Sequence, residues 1–202
     1  MKEEAKMRHI IYYSKRARTS GNWKDGDLMK AGRMDIVCHA FISALFLSHE
    51  VRKNVTLHLI FDGPPTPPRH LEFRWKGEWE EKFNISKKDV SGLIKRMLYK
   101  YKEGEKREVF PGCWIEKKSL LNLVKELNEK GKEIYILDKK GEYIRNVKLK
   151  KESVFIIGDH EGLGKELKKL KKISKLISLG KQTYFASQSI VILNYELDNF
   201  GL

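Results

Sequence analysis

The sequence predicts an α/β fold built on a parallel sheet, and three observations carry that expectation. Short apolar runs rich in β-branched residues recur at 9–14 (HIIYYS), 55–61 (VTLHLIF), 134–137 (IYIL) and 154–157 (VFII), as buried strands require. Between them lie segments whose apolar residues repeat at helical spacing. Strand followed by helix is the pattern of parallel βαβ units.

Taken in order, residues 9–14 form a first strand, followed by a basic, glycine-containing loop at 15–27 (KRARTSGNWKDGD). From Gly32 to about His49 the spacing of Val37, Phe41, Ala44 and Leu45 predicts a helix with one core face. The second strand, 55–61, stops at Asp62. The segment 62–70 (DGPPTPPRH) that follows holds four of the chain's five prolines and reads as a stiff loop, since proline neither donates to a ladder nor continues a helix. Ser86 followed by Asp89 opens the clearest helix, with Val90, Leu93, Ile94, Met97, Leu98 and Tyr101 on one face. Residues 110–114 (FPGCW) read as a turn and 120–128 as a helix capped by Gly131. Strand 134–137, a turn at 139–141, strand 154–157, a helix from Leu163, a strand end near 178 and a helix over 190–197 complete the chain.

At 202 residues the chain buries roughly 70% of its unfolded surface, enough for one core. A single domain over 1–202 is expected, with 1–6 (MKEEAK) as a charged N-terminal extension. Lysine and arginine total 41 against 27 aspartate and glutamate, so the formal charge of +14 favours a polyanion such as nucleic acid as partner. Lysine-rich solvated helix faces of the thermophile kind are the alternative source of that charge. Cys38 and Cys113 are too far apart, and the six histidines too scattered among other ligands, to suggest a metal site or a disulfide framework. No apolar stretch approaches the ~20 residues of a membrane span and the start lacks a signal-peptide core. A cytoplasmic protein with no membrane partner and no metal is expected.

The densest signal lies near the C-terminus, where two strand ends carry glycine: 154–166 (VFIIGDHEGLGKE) and 178–192 (SLGKQTYFASQSIVI). Ligands of open α/β sheets sit at such carboxyl ends, and Gly158 would let a ligand touch the backbone. The first segment departs from a phosphate-binding P-loop: five residues separate Gly158 from Gly164 where four are needed, and Glu166 stands where a hydroxyl is required. Asp159 and Glu161 would repel phosphate; they suit a positively charged ligand or a solvated turn capping the next helix.

The segment 178–192 resembles the last motif of the SPOUT methyltransferases. Residues 25–46 (DGDLMKAGRMDIVCHAFISALF) and 59–70 (LIFDGPPTPPRH) are similar to the TrmY family within them, the archaeal tRNA pseudouridine N1-methyltransferases. That resemblance implies a parallel-sheet SPOUT fold with a C-terminal trefoil knot, S-adenosyl-L-methionine as cofactor, a homodimer, and methylation of N1 of pseudouridine 54 in the tRNA T-loop. A pseudouridine N1-methyltransferase of small-subunit rRNA, which shares the KAGR segment, and a non-catalytic RNA-binding module are the alternatives. The cofactor positions it implies are Leu137, Gly158, Ser178, Leu179, Gly180, Tyr184, Ala186, Ser187 and Ser189.

N1 of pseudouridine is an imide-like N–H, so methyl transfer needs a base or a field that favours its anion, together with alignment. Asp62, at the end of a buried strand and braced by prolines, is the candidate base or orienting group. Arg69 and Arg33 are candidates for stabilising charge on the uracil carbonyls or for holding phosphate. Lys15, Arg16 and Arg18 are the candidate RNA-contacting loop. Trp75 and Trp79 suit either base stacking or closure of the core. His39 and His58 read as core neighbours.

Overall fold

The computed structural model describes residues 7–24, 26–77 and 86–202. In chain order the elements are β1 (Arg8–Ser14), α1 (Met34–Leu45), β2 (Val55–Phe61), β3 (Arg69–Arg74), α2 (Lys87–Tyr99), β4 (Arg107–Phe110), β5 (Cys113–Glu116), α3 (Leu120–Glu129), β6 (Ile134–Tyr143), β7 (Val154–Gly158), α4 (Glu166–Leu170), β8 (Lys175–Ser178) and α5 (Ala186–Asn199). The strands form one sheet in the order β4-β5-β3-β2-β1-β7-β6-β8.

The sheet is mixed, which corrects the expectation of a parallel one. From β2 through β1, β7 and β6 to β8 every pairing is parallel. From β2 through β3 and β5 to β4 every pairing is antiparallel. Loop length decides this: residues 62–68 are too few for a crossover helix, so the chain returns beside β2 as a hairpin. The turn expected at 110–114 is the tip of a second hairpin, with Gly112 at φ 73° between β4 and β5.

Side chains alternate across the sheet, so each strand feeds two cores. Ile10 and Tyr12 of β1 join α1, α2 and α5 on one face, whereas Ile11 and Tyr13 join α3 and the α4 region on the other. Local signals set the helix ends. Ser86 Oγ accepts from Asp89 N at 3.1 Å and Ser119 Oγ from Asn122 N at 3.2 Å, each satisfying a free donor of a first turn. Helix α1 begins at Met34 rather than Gly32, because Gly32 and Arg33 both adopt left-handed backbone, at φ 72° and 64°.

The C-terminal third departs from simple winding. Where composition predicts a turn at 139–141, β6 bends and runs on, so that Ile177 of β8 registers with both Leu137 and Glu142. A Cβ on Gly141 would sit 2.4 Å from Ile177 N, which leaves glycine as the residue that fits the bend. The chain threaded through this bend continues into α5, which packs along α1; Asn194 Nδ2 donates to Ser43 O at 3.2 Å. This is the threading on which a C-terminal trefoil knot depends. Arg8 fastens α5 from below, donating to Asn194 Oδ1 at 3.0 Å and Asp198 Oδ1 at 2.8 Å.

Cys38 and Cys113 are free and buried, and burial pushes both thiols up to about 12, so neither is a ready nucleophile. Among the described residues no helix is long and apolar enough to cross a membrane.

Candidate functional site

The carboxyl ends of β1, β2 and β7 converge, and the basic loop after β1 is wedged among them. A Cβ on Gly32 would lie 1.8 Å from Arg16 O, and one on Gly63 would lie 2.3 Å from the same oxygen. The glycines of KAGR and of DGPP therefore let three backbones touch. Thr19 ties the proline loop down: its Oγ1 donates to Gly63 O at 3.0 Å and accepts from Thr66 N at 2.9 Å. On the other side Asp159 joins β7 to β1, accepting from Ser14 Oγ at 3.0 Å, Lys15 N at 3.1 Å and Glu161 N at 2.9 Å. Asp159 thus serves this junction and is not directed at a cationic ligand.

Asp62 follows β2 and its Oδ2 accepts from Tyr13 Oη at 2.9 Å. Burial, reinforced by that bond, raises the Tyr13 phenol, so Tyr13 is the donor and Asp62 the acceptor. Arg69 stands opposite Phe61 in the β2–β3 register and so turns to the other face. There it is 5% exposed, donates to Pro68 O and Thr66 Oγ1 at 3.0 Å each, and stacks on Tyr101 at 3.4 Å. Among the described residues it touches no carboxylate and its Nε and the Tyr101 hydroxyl are buried without partners, and burial lowers its pKa. Arg33 makes a two-pronged pair with Asp35, at 3.1 and 3.0 Å, which holds that carboxyl below its usual range. The three candidate catalytic residues are thus not gathered on one side: Asp62 leans to the Tyr13 face, Arg69 to the Tyr101 face.

Lys15 and Arg16 both pair with Glu161, Lys15 at 3.2 Å, and their hydrogen-bonding and charge hold Glu161 below its usual range. The acidic turn is therefore neutralised from within the chain. Arg18 Nε is buried and unpartnered. Gly158 is required for a different reason from the one expected. A Cβ there would meet Gly162 C at 2.6 Å, so the glycine lets the 158–162 turn fold back on itself.

The remaining cofactor candidates form one continuous segment beside Leu137. Ser178 Oγ donates to Gly180 O at 2.9 Å and accepts from Gly180 N at 3.0 Å, which shapes the exit from β8. Gly180 adopts φ 130°, with open space where a Cβ would stand. The main-chain N–H groups of Leu179 and of residues 181–184 have no partner among the described residues. Leu137, Leu179 and Ala186 supply apolar wall against the core, and Ser187 and Ser189 lie on the first turn of α5. An unpaired peptide stretch beside an apolar wall matches what an adenine and a ribose need: backbone donors and acceptors for the ring edge, and a flat surface for the ring. Tyr184 and Phe185 face solvent, with Phe185 78% exposed.

Two features are not visible in the sequence pattern. Tyr13 reads there only as part of a strand, although it supplies the hydrogen bond that orients Asp62. The histidines, which read as scattered or as isolated core neighbours, include three that form a ladder across the sheet. His9 Nδ1 meets His58 Nε2 at 2.9 Å, His58 Nδ1 meets His70 Nε2 at 2.9 Å, and His70 Nδ1 meets Glu116 Oε1 at 3.0 Å. Glu116, ionised beside Lys118, accepts only, so each imidazole in turn carries its proton on Nδ1. His58, His70 and Glu72 come within 4.8 Å of one another, yet these nitrogens already bond each other and Glu72 bonds Lys106 at 2.6 Å. The signal for the ladder is strand register, which periodicity does not give. Trp75 packs against the core beneath Lys53; Trp79 lies outside the described residues.

The family model described as "Putative SAM-dependent RNA methyltransferase" matches residues 7–202. The tRNA (pseudouridine(54)-N(1))-methyltransferase of Methanococcoides burtonii is 35% identical over 95% of this chain and 96% of its own length. That of Methanocaldococcus jannaschii is 34% identical over 95% and 97%, and that of Thermococcus gammatolerans 31% over 96% and 98%. Among solved structures, Archaeoglobus fulgidus Nep1 bound to S-adenosylhomocysteine superposes with a TM-score of 0.63, covering 96% of this chain and 97% of that one at 12% identity. That likeness establishes a shared SPOUT fold.

Proposed function

The chain belongs to this family of SAM-dependent RNA methyltransferases, within its TrmY group, and from that premise we propose that it methylates N1 of pseudouridine 54 in tRNA. The observation that carries the cofactor half of the reading is the stretch from Leu179 to Tyr184, whose main-chain N–H groups, other than that of Gly180, have no partner among the described residues, beside Leu137 and Ala186. When bound there, S-adenosyl-L-methionine supplies a methyl group already activated on a sulfonium, leaving the protein to place and deprotonate the acceptor. Leu137, Gly158, Ser178, Leu179, Gly180, Tyr184, Ala186, Ser187 and Ser189 form or shape its pocket.

Asp62 is the group that would hold the N1 proton. Its Oδ2 is fixed by Tyr13, leaving Oδ1 to accept from N1–H as the new N–C bond forms. Fixing one oxygen matters because alignment of the reacting atoms supplies roughly 7–11 kcal/mol in well-oriented reactions. Arg69, desolvated and without a counter-ion among the described residues, suits a phosphate or a uracil carbonyl that carries developing charge. Arg33, half-exposed beside Asp35, sits where it can exchange that partner for RNA, as can Lys15 and Arg16 with Glu161; Arg18 completes this basic loop.

A homodimer fits the exposed apolar side chains Phe185, Val191 and Tyr195 along α5, which are 78%, 53% and 59% exposed and lie beside the cofactor segment. It also offers a way to unite Asp62 and Arg69 around one base, through a surface of the second copy.

The direct test is mass spectrometry of nucleosides from tRNA carrying pseudouridine 54 after incubation with the protein and S-adenosyl-L-methionine. N1-methylpseudouridine is the expected product. Product on a small-subunit rRNA fragment instead would reassign the substrate, and none on either would leave an RNA-binding module. Asp62→Ala should abolish turnover while retaining tRNA affinity; unchanged turnover would remove Asp62 from the mechanism.

A further inference from the structure

The positive charge is not spread evenly. On the α3 and β6 side lysines are matched by carboxylates: Lys118 and Lys130 by Glu126, Lys132 by Glu152, Lys150 and Lys175 by Glu133. At the C-terminal end of α2 the opposite holds. Arg96, Lys100 and Lys102 are exposed and have no carboxylate partner among the described residues. Arg96 and Lys100 lie over the Phe110 ring at 5.8 and 4.9 Å, which holds two like charges on one aromatic platform. Tyr99 beside them is 64% exposed, an amphipathic ring presented to solvent.

This end of α2 is physically continuous with the site. A Cβ on Gly21, in the basic loop, would touch the Tyr99 ring at 2.8 Å, and Lys95 Nζ donates to Trp23 O at 2.9 Å. Two residues past the helix, Tyr101 carries the stacked Arg69. Exposed cations with no carboxylate partner among the described residues thus lie at Arg96, Lys100 and Lys102, with the buried Arg69 stacked behind them on Tyr101.

We propose that this is the track along which the substrate RNA leaves the site: phosphates pair with Arg96, Lys100 and Lys102, and Tyr99 stacks on a base or ribose. The occupant is RNA because the track combines uncompensated cations at intervals along a helix end with an exposed aromatic face, the pairing that single-stranded and loop nucleotides require. It rests on the RNA-substrate reading above and adds a surface to it.

The test is equilibrium binding of T-loop-containing tRNA across a series of salt concentrations, without cofactor. Arg96→Gln with Lys100→Gln should weaken binding about ten-fold at physiological salt and lower the salt slope by about two, one for each phosphate that is no longer neutralised. Tyr99→Ala should weaken binding roughly five-fold or more with the slope unchanged. Lys168→Gln with Lys172→Gln removes the same charge near α4 and should leave both values at those of the parent. All variants are to be matched to the parent in melting temperature. An equal weakening in the α4 variant, or parental affinity and slope in the Arg96 and Lys100 variant, would overturn the track. Methylation of tRNA by the parent is scored separately: parental product with normal binding by the Gln pair removes the track alone, and weakened binding without product removes the substrate reading alone.

Discussion

The histidine ladder makes acid the most informative perturbation of this fold. His9 is held down to about 4 from 6.5, chiefly by burial and next by Lys132. His58 and His70 are lowered as well, again first by burial. Each folded-state pKa lies below its unfolded value, so the unfolded chain binds more protons and stability rises with pH. The neutral ladder is therefore fully stabilising above about pH 6.5. That contribution is lost progressively as pH falls towards 4. For His9 alone, the difference in proton binding between pH 7 and pH 5 amounts to about 2 kcal/mol, a large share of an ordinary domain's roughly 5–15 kcal/mol. His58 and His70 act in the same direction. Glu116, held near 2 by His70 and Lys118 against the opposing cost of its burial, remains ionised throughout this window and does not offset the loss. Urea unfolding at steps from pH 7.5 to 5 should show a falling midpoint at constant slope, and nitrogen NMR should show Nδ1-protonated, neutral imidazoles at pH 7. A midpoint that is flat or rises on acidification, or a doubly protonated His58 at pH 6, would refute the ladder.

Gly32→Ala should cost about 2 kcal/mol or more, because the left-handed backbone and the 1.8 Å approach to Arg16 O leave no room for a methyl; a parental denaturation midpoint would contradict this. Tyr13→Phe removes one donor to Asp62 at a stability cost of about 1 kcal/mol, yet should slow methyl transfer roughly ten-fold or more by freeing the carboxylate; single-turnover rates at saturating RNA decide it, and a parental rate would leave Tyr13 a purely structural residue. Phe185→Asp with Tyr195→Glu should convert a dimer to monomer in sedimentation velocity, whereas an unchanged sedimentation coefficient would place the dimer contact elsewhere.

Parallel strands buried on both faces announce themselves as apolar runs, so β1, β2 and β7 are legible nearly to the residue. Ser86 and Gly131 likewise mark the start of α2 and the end of α3, because capping is chemistry between residues three or four apart. Strands β3, β4 and β5 are not legible. β3 and β5 do alternate, with Leu71, Phe73, Cys113 and Ile115 buried on one face and His70, Glu72 and Glu116 on the other, but each strand offers only two such apolar residues, too few for a period to stand out. The bend of β6 around β8 is equally hidden, since Lys139, Lys140 and Gly141 have the composition of a turn.

For the site, sequence alone marked the candidate segments: Arg33 in KAGR, the proline loop with Asp62 and Arg69, Gly158 at a strand end, and the peptide from Ser178 to Ser189. Those are requirements of backbone approach and ligand contact, written in residue type. Only the tertiary structure decided why each glycine is needed, that Glu161 is consumed by Lys15 and Arg16, and that Asp62 and Arg69 lean to opposite faces. The reason is physical. Residue type limits what a position can do locally, but partners separated by tens of residues are chosen by strand register and threading, and a one-residue change of register would turn every one of those side chains to the other side.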